Sequence, residues 1–142
     1  MELRISLDTN IFLAIKNKED SSPFCEKILN AIEEKKFIGV LSTVVISEVL
    51  VGFYQNNEIW EADEFSQNIT AYYKIIPVSL EVSQKGAKIR AKYNIKLPDA
   101  LIVASLDLSE TKFLISSDKG LSKCSEIIIM TPEKFVEKYL KQ

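Results

Sequence analysis

At 142 residues, with no histidine, two cysteines and a net charge of −2, the chain is sized for one domain and closed to several chemistries. Without imidazole there is no Ser-His-Asp or Cys-His catalysis, no histidine acid–base step and no zinc site built on histidine. No apolar run approaches the ~20 residues of a bilayer span, and the opening Met1-Glu2-Leu3-Arg4 lacks the basic start, apolar stretch and cleavage site of a secretory leader. A cytoplasmic protein with no membrane contact, folded as a single domain over residues 1–142, is the expectation. Cys25 and Cys124 are far apart and match no metal or redox spacing, so two reduced thiols are expected.

Strand-like and helix-like runs then alternate. Residues 3–7 form a short apolar, β-branched run that predicts the first strand. Ser22-Pro23 opens a helix to about residue 36, with serine as cap and proline at the first helical position. Residues 37–41 read as a second strand, and Ser42 or Thr43 caps a helix to about residue 54. Residues 58–69 predict another helix, with Asn57 as its cap. Residues 72–78 are strand-like but contain Pro77, which confines that strand to a short piece or an edge. Ser79 starts a helix to about residue 93, and Pro98 marks the first turn of the next. Residues 112–116 and 126–130 are two further strands, and Thr131-Pro132-Glu133 opens a terminal helix. This alternation implies βαβ units and a three-layer α/β/α domain around a mostly parallel sheet.

Four acids stand out against that frame. Asp8 directly follows the first strand, and Asp118 comes two residues after the strand ending at Ser116. Ligands bind a parallel sheet at the carboxyl ends of its strands, so both acids belong to that edge by position alone. Glu48 lies early in the helix after the second strand, inside the apolar run Val44-Val45-Ile46-Ser47-Glu48-Val49-Leu50-Val51, where an unpaired carboxylate is costly. Asp99 lies in the first turn of its helix. Each has a plainer alternative: Asp8 as a helix cap, Glu48 in a salt bridge with Arg4 or a lysine, Asp99 as a first-turn acid, Asp118 as turn chemistry. Gathered in one pocket, four carboxylates repel, and Mg²⁺ or Mn²⁺ relieves the repulsion while polarising a phosphoryl oxygen and activating water. Thr9 and Asn10 can support Asp8, and Ser116 offers a hydroxyl as ligand or as donor to a ligand.

The segments Ile5-Ser6-Leu7-Asp8-Thr9-Asn10, Ser47-Glu48-Val49, Leu97-Pro98-Asp99-Ala100-Leu101-Ile102-Val103-Ala104 and Leu114-Ile115-Ser116-Ser117-Asp118 resemble, in order and spacing, the PIN-domain ribonuclease family and its short VapC-type toxins. The resemblance implies a five-stranded parallel sheet between helices and metal-dependent cleavage of single-stranded RNA. It implies that Asp8, Glu48, Asp99 and Asp118 are the acidic quartet that holds the metal, with Ser116 as the active-site hydroxyl and Thr9 and Asn10 as the supporting pair. Where the family often has Asn or Arg before the last acid, Ser117 stands here. It further implies a homodimer and a small antitoxin that covers the groove with a basic side chain among the carboxylates.

The run from Lys85 to Lys96 holds five bases and no acid. Lys85, Lys88 and Lys92 share one helical face, which reads either as a phosphate track for RNA or as a solvated lysine face. Phe53, Tyr54 and Trp60 are expected in the core or at a dimer contact. Alternatives to the toxin are a stand-alone RNA-processing nuclease, a phospho-aspartate receiver or phosphatase, and a non-catalytic RNA-binding module. The phosphatase is disfavoured by Asn10 where a second aspartate is needed.

Overall fold

The computed structural model describes residues 2–141; Met1, the first residue of the leader reading, lies outside them. Five strands, β1 (Arg4–Leu7), β2 (Ile38–Ser42), β3 (Tyr73–Ile76), β4 (Phe113–Ile115) and β5 (Ile128–Met130), make one sheet in the order β3-β2-β1-β4-β5. Every pairing is parallel, with Ile5 opposite both Gly39 and Phe113, and Leu7 opposite Ile115. The expected mostly parallel sheet is thus wholly parallel. Parallel strands need crossover connections, and the first three are pairs of helices: α1 (Thr9–Lys16) and α2 (Ser22–Glu33), α3 (Thr43–Gln55) and α4 (Ile59–Tyr72), α5 (Leu80–Tyr93) and α6 (Leu97–Leu108); β4 and β5 are joined by turns, and the short α7 (Pro132–Phe135) and one π-helical turn, Val136–Leu140, follow β5.

Covering both faces of the sheet makes the three-layer domain and explains the strand sequences. Ile5, Leu7, Val40, Leu41, Leu114 and Ile115 are all inaccessible to solvent, each stabilising the fold by roughly 1.5–3 kcal/mol. Ile11, Ile28, Ile102, Leu106 and Phe135 close over them from the helices. Gly39 is needed at its place in β2, because a Cβ there would lie 2.6 Å from the Tyr73 ring. Among the described residues no helix is long and apolar enough to cross a membrane.

The sequence expectations shift at several ends. The sequence points to α1 only through Asp8 as a possible cap, since its eight residues are too few for periodicity to bound it. Ser22 lies inside α2 rather than capping it, and Lys35, with φ 63°, ends the turn beyond it. Asn57 takes φ 57° in the α3–α4 connection instead of capping α4. The caps on α3, α5 and α7 are as expected: Ser42, Ser79 and Thr131 accept from the amides of Val44, Val82 and Lys134. Pro77 falls one residue past β3, an edge strand.

The strand order positions the site. From β1 the chain moves outward through β2 and β3, then crosses back to β4 and outward to β5 on the other side. The connections leaving β1 and β4 therefore diverge, and the crevice between their carboxyl ends is where such sheets bind ligands.

Candidate functional site

Asp8 and Ser116 are the first residues beyond β1 and β4, directly at that crevice. The β ladder continues into them: the Asp8 amide donates to the Ile115 carbonyl at 3.0 Å and the Ser116 amide to Met130 at 3.0 Å. Asp8 also caps α1, one Oδ accepting from the Thr9 amide at 2.8 Å. The plainer reading of Asp8 as a helix cap is therefore correct without excluding the other.

Ser116 is fully buried, and its hydroxyl is fully used. It donates to Asp8 Oδ2 at 2.9 Å and accepts from Asn10 Nδ2 at 3.0 Å and from the Asp118 amide at 3.0 Å. A hydroxyl has one donor and two acceptor positions, so no lone pair is left for an ion while this arrangement stands. Ser116 thereby orients Asp8 and the backbone of Asp118. Asn10 spans the same gap, its Oδ1 accepting from the Ser117 amide at 3.1 Å. That N–H can only donate, which fixes the Asn10 amide with its nitrogen toward Ser116. The contact at Ser117 is made by main chain, so the departure from the family's Asn or Arg leaves the bracing intact. Asp118 itself is exposed, with one Oδ taken by the Gly120 amide at 2.8 Å.

Glu48 is placed differently from expectation. It is exposed on the outer face of α3 rather than embedded in apolar surroundings, and Arg4 bonds the Ser109 carbonyl instead of Glu48. The outer face of α3 is itself apolar, with Val51 50% and Tyr54 49% exposed, so apolar neighbours in the chain did not mean burial. Glu48 nonetheless reaches the site, accepting from the Thr9 hydroxyl at 2.7 Å. Asp99 is half-buried in the first turn of α6, where Pro98 also lies.

The charges interact. Burial raises the Asp8 carboxyl above its ordinary range, Ser116 and the Thr9 amide oppose this, and Asp118 adds to it. Burial also raises Asp99, with Asp8, Glu48 and Asp118 reinforcing and Lys96 opposing. The other three predicted acids thus lie within electrostatic reach of Asp99. Among the described residues no three acidic or cysteine side chains are already gathered around one ion-sized point. The donor set still fits a hard divalent ion: all oxygen, mutually repelling, with Glu48 and Asp118 open to solvent.

Lys85, Lys88 and Lys92 line one shallow depression with Ile89, as their spacing predicts, but Glu126 lies in it too. Lys85 is held 2.7 Å from Asp107, and the Lys92 ammonium sits 5.0 Å from the Tyr93 ring centre. The fold thus brings two acids to a face that is acid-free in sequence. Lys96, beside Asp99, is the cation the lysine-face reading passed over; its place at the turn before Pro98 was the available signal. Phe53 packs against Phe65 in an apolar cleft lined also by Phe12 and Val49 and edged by Glu58, Glu61 and Glu64, while Trp60 is 70% exposed. Cys25 and Cys124 are buried and unbridged.

A family model described as PIN domain matches residues 5–127. A 63-residue stretch is 41% identical to an Archaeoglobus fulgidus protein described as uncharacterised, covering 44% of this chain and 98% of that one. Among solved structures, a toxin–antitoxin complex from Klebsiella pneumoniae is similar at TM-score 0.68 and 21% identity, over 90% of this chain and 97% of that one. VapBC2 from Rickettsia felis bound to a DNA fragment from their promoter aligns at TM-score 0.71 and 18% identity, over 91% and 98%. FitAcB from Neisseria gonorrhoeae aligns at TM-score 0.71 and 18%, also over 91% and 98%. At these identities the structures share the fold.

Proposed function

The chain belongs to the PIN domain family, and from that premise we propose that it is a divalent-metal-dependent endoribonuclease acting as the toxin of a toxin–antitoxin pair. The observation that carries this reading is the bracing of Asp8 and Asp118 by Ser116 and Asn10 across the β1–β4 crevice, within the field of Asp99 and Glu48. A site that only capped a helix would not need a buried hydroxyl serving two carboxylate-bearing segments.

Asp8, Asp99, Asp118 and Glu48 are the residues that would hold Mg²⁺ or Mn²⁺. Such an ion, when bound, would supply Lewis-acid polarisation of the phosphoryl group and a more acidic water, which this histidine-free chain has no imidazole to provide. The chain's own residues do the positioning. The Thr9 amide and Ser116 hydroxyl hold the two oxygens of Asp8, and the Gly120 amide holds one oxygen of Asp118. Glu48, anchored only through the Thr9 hydroxyl, is free to orient the attacking water. Lys85, Lys88 and Lys92 are assigned to RNA backbone contact, with Lys85 the weakest because Asp107 competes for it.

The toxin assignment draws support from the similar Klebsiella pneumoniae structure, described as a toxin–antitoxin complex. The partner it requires is a small antitoxin; the apolar cleft between α1, α3 and α4, edged by acids, suits an apolar segment that also carries basic residues. A second copy of the chain would cover Val51 and Tyr54 on α3 and Ile59 and Trp60 on α4. The cytoplasm is the compartment in which such an enzyme meets its RNA.

The test is cleavage of single-stranded RNA by the purified protein. Mg²⁺ or Mn²⁺ should support it and EDTA should stop it. Cleavage undiminished in both Asp8→Asn and Asp99→Asn proteins would remove the assignment.

A further inference from the structure

The turn between α5 and α6 carries one cation, Lys96, directly before the helical turn that bears Asp99, and its backbone is fastened on both sides. α5 ends at Tyr93, and Asn94 takes the left-handed conformation at φ 56° with its amide on the Arg90 carbonyl at 2.7 Å. The Arg90 guanidinium donates to the carbonyl of Ile95, whose side chain is buried. Pro98 occupies the first turn of α6, and the Ala100 amide closes on the Lys96 carbonyl at 3.0 Å. Lys96 is therefore set in extended backbone, φ −64° and ψ 147°, with its side chain exposed.

Its charge is also uncommitted. Among the described residues the lysines in ion pairs are Lys16, Lys36 and Lys85; Lys96 pairs with none within bonding distance, and as the N-cap residue of α6 it stands one helical turn before Asp99. A lysine clasped to Asp99 would compete with a metal ion. A lysine at the lip does something else: it offsets the repulsion that a polyanion meets on approaching four carboxylates. We propose that Lys96 is a substrate-contacting residue whose ammonium binds an RNA phosphate flanking the one that is cleaved. This rests on the ribonuclease reading and adds to it a named contact outside the acidic quartet.

The experiment measures the affinity of a labelled single-stranded oligoribonucleotide of about 16 nucleotides against salt concentration, by fluorescence anisotropy in EDTA. The wild type is compared with Lys96→Gln, Lys96→Arg and, as a control on the exposed Lys36–Glu34 pair, Lys36→Gln. Lys96→Gln should weaken binding and lower the log–log salt slope by about 0.7, Lys96→Arg should restore the slope, and Lys36→Gln should change nothing. In cleavage assays Lys96→Gln should raise KM and leave kcat near wild type. An unchanged affinity and slope in Lys96→Gln overturns the contact. So does a fall in kcat with an unchanged slope, which would mean that Lys96 acts on Asp99 rather than on RNA. If the slope falls as expected while no divalent ion supports cleavage, the ribonuclease reading fails and the phosphate contact stands. If the wild type binds no oligoribonucleotide, the phosphate contact falls, and cleavage with Mg²⁺ or Mn²⁺ decides the ribonuclease reading separately.

Discussion

The two halves of the acidic cluster are built on opposite plans. Asp8 and Asp118 leave adjacent strands and are tied together through one buried hydroxyl and one amide side chain. Glu48 and Asp99 ride on helices; among the described residues Glu48 has a single hydrogen bond, to Thr9. The strand-borne half is held to fixed geometry by sheet register, whereas the helix-borne half can adjust by side-chain rotation. In the proposed enzyme the first half sets where an ion sits, and the second adapts as substrate and product exchange.

The largest expected effect tests the rigid half. Asp8→Asn keeps the cap and the shape but removes the charge and the acceptor of the Ser116 hydroxyl, and should lower kcat/KM on the order of 10³-fold in single-turnover RNA cleavage. A loss no greater than that of Glu48→Gln would erase the distinction between the halves.

Next comes the brace. Ser116→Ala leaves the Asp118 amide and Asn10 without their shared acceptor; activity should fall about 10- to 100-fold. Denaturant unfolding should show about 1–3 kcal/mol of lost stability, the cost of buried groups left unpaired. Ser116→Thr, which retains the hydroxyl, should recover most of both.

A smaller effect is expected in the adaptable half. Glu48 is exposed and singly bonded, so Glu48→Gln should cost about tenfold or less in kcat and leave the unfolding midpoint unchanged. A collapse of stability in that variant would show Glu48 to be structural.

The smallest effect is on stability with pH. Asp8 and Asp99 carry carboxyls raised above their ordinary 3.8, so the folded protein holds these protons more tightly than the unfolded chain does. Their contribution is fully present below about pH 3.8 and is lost as pH rises through the raised folded values. In EDTA, unfolding free energy should carry this downward component over that window, and Asp8→Asn should lessen it. Mg²⁺ should offset the loss above the window by mass action on the folded state. An Asp8→Asn protein with the wild-type pH slope would show that Asp8 does not hold its proton more tightly in the folded state.

Much of this site was legible before the fold. Asp8, Ser116 and Asp118 were placed by adjacency to strand ends, because a strand end in a parallel sheet has one address. Asp99 came chiefly from the resemblance carried by Leu97-Pro98-Asp99-Ala100, and the structure gives it the first turn of α6. For Glu48 the apolar neighbours in the chain predict a buried environment, whereas the residue is exposed, because Val51 and Tyr54 on the same helix are open to solvent as well. Lys96 escaped notice because its significance depends on the Arg90–Ile95 bond and on neighbours far along the chain.

By itself the sequence determined the alternation of strands and helices, the parallel sheet, the exclusion of imidazole chemistry and the identity of the acids at the strand ends. These follow from local pattern, which periodicity and capping express residue by residue. Only the tertiary structure decided which charges meet. The lysine face that is acid-free in sequence faces Asp107 from α6 and Glu126 from the approach to β5, and the Ser116 hydroxyl joins segments 108 residues apart. Electrostatic and hydrogen-bond partners are set by distance in space, and a crossover sheet brings together residues that no spacing along the chain connects.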